Sequence, residues 1–445
     1  MIDLLWLALS IAVIILLIIR VRLHPAMSLI IGALLLGFST QIPLPALVEA
    51  TTEGFGSLMA GIGLSVGFGI ILGQLMSDSG GAKVIARTVV GLTSKRFSMY
   101  GLAAAAFILS IPVFYDVTFV ILVPLAIPIA REAGKPLPLA IGSVALGAGV
   151  AHTLVPPTPN PLAAGEIMDF DVGIMMIIGT IVGFIAMLSA VAAYSWILPK
   201  VWKPAVDEEN DVDFEPEVDE GRPSPTFFVA LLPILLPVLL ILTGTVWTMF
   251  DDEQPAWLAF IGNQTVALLL GTLMAYLVAA KSLNREERDG SANKAVRNAG
   301  IVLLITGAGG AFGGVIGEAQ IDETIASSVD ALGGNYLLAL LVCYGVGVAF
   351  RVAVGSGTVA SITTLTIMAS VAPSIGVHPV WVTMACLAGA LTLGHINDSG
   401  FWVTAKLPGF SLTGGLKTYT LAQSITGVFV MVLTLVGATV VPMGG

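Results

Sequence analysis

Apolar runs of membrane-spanning length recur along the whole chain. The first covers residues 2–19, and others cover residues 58–76, 172–198 and 226–249. A helix needs about 20 apolar residues to cross the hydrocarbon core of a bilayer. Runs of this length throughout the chain predict an all-α polytopic membrane protein.

Two further runs are interrupted by residues that a membrane helix does not tolerate. The first reads AHTLVPPTPNPLAAGE (151–166), and the second reads GHINDSGFW (394–402). The prolines of the first lack amide donors and clash with the preceding turn, so no regular helix passes through residues 155–162. Irregular backbone at membrane depth must be buried in protein or line a water-filled cavity. The pattern predicts two broken helices, which in transporters mark the binding site.

A third kind of apolar stretch predicts a hairpin. Residues 97–130 are too long for one span and short for two, and SIPVFYDVT lies in their middle. Basic residues flank the stretch on both sides, so both of its ends are expected on the cytoplasmic side. We interpret it as a re-entrant hairpin with its tip at residues 112–118. Two short full spans, which also return the chain to that side, are the alternative.

The second half of the chain repeats the first. FGIILGQ, which begins at residue 68, recurs 244 positions later as FGGVIGE, and His395 follows His152 by 243 positions. Two anchors at nearly one offset predict an internal repeat. The loop at 83–96 is basic, whereas its counterpart at 321–335 has acids but no Lys or Arg. Because basic loops stay cytoplasmic, the two repeats are predicted to be inverted.

The inverted repeat predicts a second hairpin and a division of the chain. The hairpin covers residues 336–372, and its tip near residues 351–361 (RVAVGSGTVAS) is rich in glycine, which allows a close approach to a ligand. Residues 1–198 and 226–445 form the predicted halves. An acidic cytoplasmic connector at residues 199–225 joins them, and its acidic run is expected to be solvated.

Composition supports the membrane assignment. Of 445 residues, 56% are hydrophobic and 11% are charged, whereas a soluble protein carries about 25% charged residues. The net charge of −10 comes partly from the connector. Cys343 and Cys386 lie in apolar runs, so no disulfide, metal site or other cofactor site is expected. Asp3 and the lack of a basic start predict a retained first span rather than a signal peptide.

The hairpin tips and helix breaks are predicted to meet at the membrane midplane. Helix N-termini there offer free amides and the positive ends of helix dipoles, which suit an anion. The hydroxyl, amide and carboxylate groups nearby suit a polyhydroxylated substrate that carries a carboxylate. The candidate substrate-binding residues are Tyr115, Thr118, His152, Thr153, Thr158, Asn160, Arg351, Ser356, Thr358, His395, Asn397 and Ser399.

Three acids are candidates for proton coupling, because a carboxylate in a low-dielectric site can be neutral when occluded. They are Asp116, Asp398 and Glu318, of which Glu318 is considered as a buried acid. For the two aspartates, pairing with a Lys, Arg or helix end is the structural alternative. Arg351 could clamp a carboxylate at a hairpin tip, but it is an ordinary cytoplasmic flank if the hairpin is two spans. His152 and His395 have the alternative of hydrogen bonding between helices.

Four blocks carry a resemblance to a known family. They are IPVFYDVTFVILVPLA from residue 111, LGAGVAHTLVPPTPNPLAAGE from residue 146, LGHINDSGFWV from residue 393 and KLPGFSLTGGLKTYTLAQS from residue 406. With these blocks in order over nearly the whole chain, the sequence resembles the gluconate:proton symporter (gluconate permease) family. The resemblance implies proton-coupled import of gluconate or a related sugar acid across a bacterial inner membrane. It also implies paired hairpins, a mobile transport domain with an elevator motion, and a homodimer.

Other functions remain open from the sequence. Relatives that resemble this pattern carry other small hydroxy acids or D-serine. An intramembrane enzyme is less favoured, because HExxH, GxSxG and Cys/His metal spacings are absent from the sequence. A channel would be separated from a carrier by substrate counterflow. Direct ATP drive is not expected without a P-loop, and no nucleic-acid partner is expected.

Overall fold

The structure is a computed structural model, and it describes residues 2–209, 223–248, 250, 253–319, 335–369, 372–396 and 398–443. Nearly all of these residues are helical, and they form no strand beyond an isolated bridge between Glu208 and Phe410. Six of the described helices are long and apolar enough to cross a membrane, or seven with a bent pair counted as one span. The predicted all-α polytopic membrane fold is confirmed.

The described residues from Ile2 to Glu209 form ten α-helices, the last of which lies in the predicted connector. They are α1 (Ile2–Leu16), α2 (Pro25–Ser39), α3 (Leu44–Asp78), α4 (Gly81–Gly91), α5 (Ser98–Ser110), α6 (Tyr115–Ala133), α7 (Leu137–Leu154), α8 (Pro159–Ile167), α9 (Val172–Val201) and α10 (Pro204–Asp207).

The described part of the second half also forms ten helices. They are α11 (Phe227–Thr248), α12 (Ala256–Gly262), α13 (Gln264–Ala279), α14 (Arg285–Glu318), α15 (Tyr336–Val354), α16 (Gly357–Ala369), α17 (Pro379–Leu391), α18 (Ser399–Lys406), α19 (Leu412–Gly415) and α20 (Leu421–Val440). A π-helical turn, Leu416–Thr420, joins α19 to α20.

The helix breaks lie where the sequence predicts them. α7 ends at Leu154, the chain is extended at Val155, and α8 begins at Pro159. Proline is tolerated at the first helical position, because the amide that it lacks would have no partner there. In the second half, α17 ends at Leu391 and α18 begins at Ser399. The prediction of two broken helices is confirmed.

Each predicted hairpin is a pair of helices joined by a short turn. Residues 111–114 join α5 to α6, and Gly355 and Ser356 join α15 to α16. Gly355 has a φ of 86°, which a residue with a side chain rarely adopts. The predicted first tip, 112–118, extends too far, because Phe114 already caps α6 and the residues after it are helical. Re-entry of either pair from one side of the membrane stays a prediction.

The order of the helices recurs in the second half. The six helices α3 and α5 to α9 are followed by a similar series, α14, α15 to α18 and α20, to which the four-residue helix α19 is an addition. This agrees with an internal repeat. The inversion of the two halves stays a prediction, as do their boundaries at residues 198 and 226.

The start of the acidic connector is packed against the second half. Asp207 is fully buried, although its acidic run was expected to be solvated. Lys417 Nζ donates to its two carboxylate oxygens at 2.8 and 2.6 Å, and Lys203 N donates to Oδ2 at 2.6 Å. Ser411 N donates to the carbonyl oxygen of Asp207 at 2.9 Å. Residues 210–222 of the connector lie outside the described residues.

The helices α3 and α14 cross with their backbones in contact. A Cβ atom at Gly54 would lie 2.4 Å from the carbonyl oxygen of Gly310, and one at Gly314 would lie 2.4 Å from that of Ala50. Small residues permit this approach, which is a common basis of helix packing in membranes.

Equivalent glycines of the two halves have different neighbours. A Cβ atom at Gly69 of α3 would lie 3.2 Å from the carbonyl oxygen of Pro157, in the first helix break. Gly313 of α14 is the counterpart of Gly69 at the repeat offset. A Cβ atom there would instead lie 2.7 Å from Thr366 Cγ2, in α16. The two halves therefore pack differently against the elements that carry the turns and breaks.

Candidate functional site

A cavity of about 460 Å³ lies where the two turns and the two helix breaks meet. Its volume is within the range of small-molecule sites, about 300–1,000 Å³. Ten of the predicted site residues line it, and they are Tyr115, Asp116, His152, Thr153, Asn160, Arg351, Ser356, Thr358, Asp398 and Ser399. The structure therefore brings together most of the residues that the sequence singled out from both halves.

Four of the described helices begin at this cavity. Tyr115 opens α6, Asn160 lies in the first turn of α8, Thr358 in that of α16, and Ser399 opens α18. The first amides of a helix have no acceptor within the helix, and the helix dipole places partial positive charge at the same end. These helix N-termini therefore favour the binding of an anion at the cavity.

Arg351 and Asp398 form a buried ion pair on the cavity wall. Their exposed fractions are 3% and 8%. Arg351 donates hydrogen bonds to Asp398 Oδ2 and to the carbonyl oxygen of Gly355, and to the hydroxyl of Tyr419 at 2.8 Å. Tyr419 in turn donates to Asp398 Oδ2. Arg351 thus lies in the last turn of α15, beside the α15–α16 turn.

Asp398 also caps a helix. Its Oδ1 accepts a hydrogen bond from Gly400 N at 3.0 Å, which satisfies one of the free amides of α18. Both structural alternatives raised from the sequence, an arginine partner and a helix end, are therefore present at Asp398.

Asp116 differs from Asp398 in its surroundings. It is half-buried in the first turn of α6, where the helix dipole favours a carboxylate. None of the ion pairs formed within the described ranges includes Asp116. Its polar neighbours on the cavity wall are the side chains of Asp398 and Ser399.

Several buried polar atoms on the cavity wall have no hydrogen-bond partner among the described residues. They are His152 Nδ1, Asn160 Oδ1, Arg351 Nε and Gln423 Oε1. A buried donor or acceptor without a partner costs about 1–3 kcal/mol. Their concentration at one cavity is typical of a site that a polar ligand completes. The ring of His152 also lies 5.4 Å from that of Phe114, measured between centroids.

Four predicted site residues do not line the cavity. Thr118 is fully buried one turn into α6, and Thr158 Oγ1 donates to the carbonyl oxygen of Val155 within the break. His395 is partly exposed beyond the cavity wall. Glu318 is exposed at the C-terminal end of α14, so the expectation that it is a buried acid is wrong. Asn397 lies outside the described residues.

The sequence did not single out three polar residues of the wall. Asn298 comes from the long helix α14, Tyr419 from the π-helical turn and Gln423 from α20. Tyr419 and Gln423 lie in the block KLPGFSLTGGLKTYTLAQS, which carried the family resemblance and was the available signal for them. Asn298 had no such signal.

Comparisons with known proteins agree with this architecture. The family described as GntP family permease matches residues 2–440. The gluconate permease of Pseudomonas aeruginosa is 33% identical over 436 residues, which cover 95% of each chain. The inner membrane permease YgbN of Escherichia coli is 31% identical over 444 residues, which cover 96% of each chain.

A solved structure shows the same fold at low sequence identity. The YdaH transporter of Alcanivorax borkumensis has a TM-score of 0.64 and 14% identity, over 91% of each chain. The fold, the polar cavity and the family match over nearly the whole chain lead to one assignment. The protein is a multi-pass membrane permease, not an enzyme, and it belongs to the GntP permease family.

Proposed function

We propose that this protein is a proton-coupled symporter that imports gluconate or a related sugar acid across a bacterial inner membrane. The main support is the convergence of four helix N-termini and Arg351 on one cavity. This arrangement suits the carboxylate of the substrate. The hydroxyl and amide groups on the same wall suit its hydroxyl groups. Two relatives, a gluconate permease and an inner membrane permease, support the substrate and the location.

Asp116 is the acid that we assign to proton coupling. Asp398 is engaged by Arg351, Tyr419 and the amide of Gly400, so its charge is already compensated. Asp116 faces the cavity with no such ion pair in the described part of the chain. An arriving carboxylate would add a further negative charge near Asp116 in this cavity. Protonation of Asp116 removes that repulsion, and this couples the proton to the anion.

The charge that is carried determines the driving force. One proton that moves with a monoanion transfers no net charge, so the pH gradient alone drives the import. A second proton would add about 2.3 kcal/mol per 100 mV of membrane potential. An elevator motion of the turn and break elements, and a homodimer formed through the other spans, complete the proposal on the family resemblance alone.

The test of function is uptake of radiolabelled gluconate into proteoliposomes. We expect accumulation under an inward proton gradient and none under a sodium gradient, with D-serine and glycerate added as competitors to rank substrates. Accumulation under sodium alone would refute proton coupling. If the proteoliposomes show no accumulation and no counterflow of gluconate, the proposed substrate is refuted.

The test of the proton site is the substitution Asp116→Asn in the same assay. We expect the variant to lose proton-driven accumulation but to keep counterflow, because exchange requires no net proton movement. Asp169→Asn is the matched control, since Asp169 is exposed and its φ of 52° suits asparagine. Normal accumulation by Asp116→Asn would exclude Asp116 as the proton carrier.

A further inference from the structure

Gln423 is a buried amide on the wall of the cavity. It lies in the first turn of α20, four residues after Tyr419, and only 1% of it is exposed. Its Oε1 atom has no hydrogen-bond partner within the described part of the chain. The proposed function gives Gln423 no individual role.

The orientation of this amide is determined by its neighbours. Gln423 Nε2 donates to the carbonyl oxygen of Ala145 at 2.9 Å. The reversed amide would bring two acceptors together at that position, so Oε1 must be the free atom. Gly149, one turn further along α7, leaves room for the amide, because a Cβ atom there would lie 2.1 Å from Gln423 Nε2.

The neighbouring hydroxyl groups have hydrogen-bond partners of their own. The hydroxyl of Tyr115 lies close to Gln423 and shares a hydrogen bond with Thr404 Oγ1 at 2.8 Å, in which either oxygen can be the donor. The hydroxyl of Tyr419 donates to Asp398. Since Gln423 Oε1 has no partner among the described residues, it is available to a donor on a ligand in the cavity.

A second acceptor of the same kind comes from the first helix break. Asn160 is 1% exposed, it lines the same cavity, and its Oδ1 has no partner among the described residues. Asn160 and Gln423 come from different elements, α8 and α20. Two such acceptors, beside backbone amides that suit a carboxylate, match a ligand with one anionic end and several hydroxyl donors.

We propose that Gln423, together with Asn160, determines specificity by accepting hydrogen bonds from substrate hydroxyl groups. This inference rests on the proposed function and deepens it. A site built to bond a hydroxyl rejects the analogue that lacks it, because the buried acceptor is then left without a partner. The cavity therefore selects polyhydroxylated acids over acids of equal length that lack a hydroxyl at the matching carbon.

The experiment measures ligand affinity on the purified full-length protein after removal of the Gln423 amide, of one ligand hydroxyl group, or of both. Radiolabelled gluconate is displaced by a panel of monodeoxy gluconates, each without one hydroxyl. For the wild type we expect at least one analogue to bind roughly 10- to 100-fold more weakly than gluconate. For Gln423→Met we expect gluconate to weaken by a similar factor and that analogue to bind as well as gluconate. Methionine has a similar shape, which preserves the packing.

Gln264→Met is the matched control. Gln264 also donates from its amide to a backbone carbonyl, that of Gly61, at 3.2 Å, but it lies outside this cavity. We expect it to bind the panel as the wild type does.

For each analogue, the affinity is compared with that for gluconate. If every analogue loses the same factor in Gln423→Met as in the wild type, the assignment is overturned, because the residue and the hydroxyl group are then not coupled. If Gln423→Met does not fold, the wild type still decides, since equal binding of all analogues overturns the proposal. Failure of the wild type to bind gluconate at all rejects the proposed function, and this inference with it.

Discussion

The buried pair of Arg351 and Asp398 makes a quantitative prediction. Arg351→Met or Asp398→Asn alone leaves one charge buried without its counter-ion, since the two side chains are 3% and 8% exposed. Breaking a buried pair in this way costs about 3–5 kcal/mol. The asparagine can still cap α18, so the loss at Asp398 reports the charge rather than the cap. The double variant buries neither charge and should recover most of the stability.

The assay is thermal unfolding of the purified protein in detergent, followed by tryptophan fluorescence. A loss of 3–5 kcal/mol corresponds to a fall in Tm on the order of 5 °C for a chain of this size. We expect both single variants to show it and the double variant to lie within about 2 °C of the wild type. A double variant that is as unstable as the two single losses combined would refute the pairing. Gluconate binding should be lost in all variants without Arg351.

Two further predictions concern stability away from the cavity. Gly54→Ala should lower the Tm, because its Cβ would lie 2.4 Å from the carbonyl oxygen of Gly310. Gly56→Ala is the control and should not lower it, since apart from its chain neighbours and its own helix backbone no atom of the described residues lies within 4 Å of a Cβ there. Equal Tm values for the two variants would contradict the backbone contact. Burial alone would raise the pKa of Asp207, but the hydrogen bonds from Lys417 and the backbone outweigh this effect, so the pKa lies below its ordinary value of 3.8. The stabilisation of the fold by ionised Asp207 is therefore complete above pH 3.8 and is lost as the pH falls through the lowered pKa. Lys417→Met should reduce the Tm near neutral pH, and a pH titration of Tm should show the difference from wild type disappear in acid; a constant difference would exclude the ion pair as its cause.

Residues beside a helix break could be predicted from the sequence. Proline and charged residues are not accommodated in the middle of a membrane helix, so the two interrupted runs drew attention to His152, Asn160 and Asp398. The repeat then brought in Arg351 at the second turn. These residues all line the cavity.

Residues in continuous helices could not be predicted in the same way. Tyr419 and Gln423 follow no break, and their position depends on α20 packing against α7, which joins Gln423 to Ala145 over 278 positions of sequence. Thr118 was included because it is near a tip, but successive residues of a helix point about 100° apart, and its side chain faces the core. Proximity to a break does not determine which face a side chain occupies.

The unequal neighbours of Gly69 and Gly313 have a thermodynamic consequence. If the halves are inverted, as the sequence predicts, the packing at Gly313 in this form would be the packing of Gly69 in an opposite-facing form, and the reverse. The two forms would then exchange these contacts between the halves, which would bring their free energies closer together. A difference below about 1.4 kcal/mol keeps both forms populated within a factor of ten. Only a small difference in the binding free energies of substrate and proton would then be needed to shift the equilibrium from one form to the other.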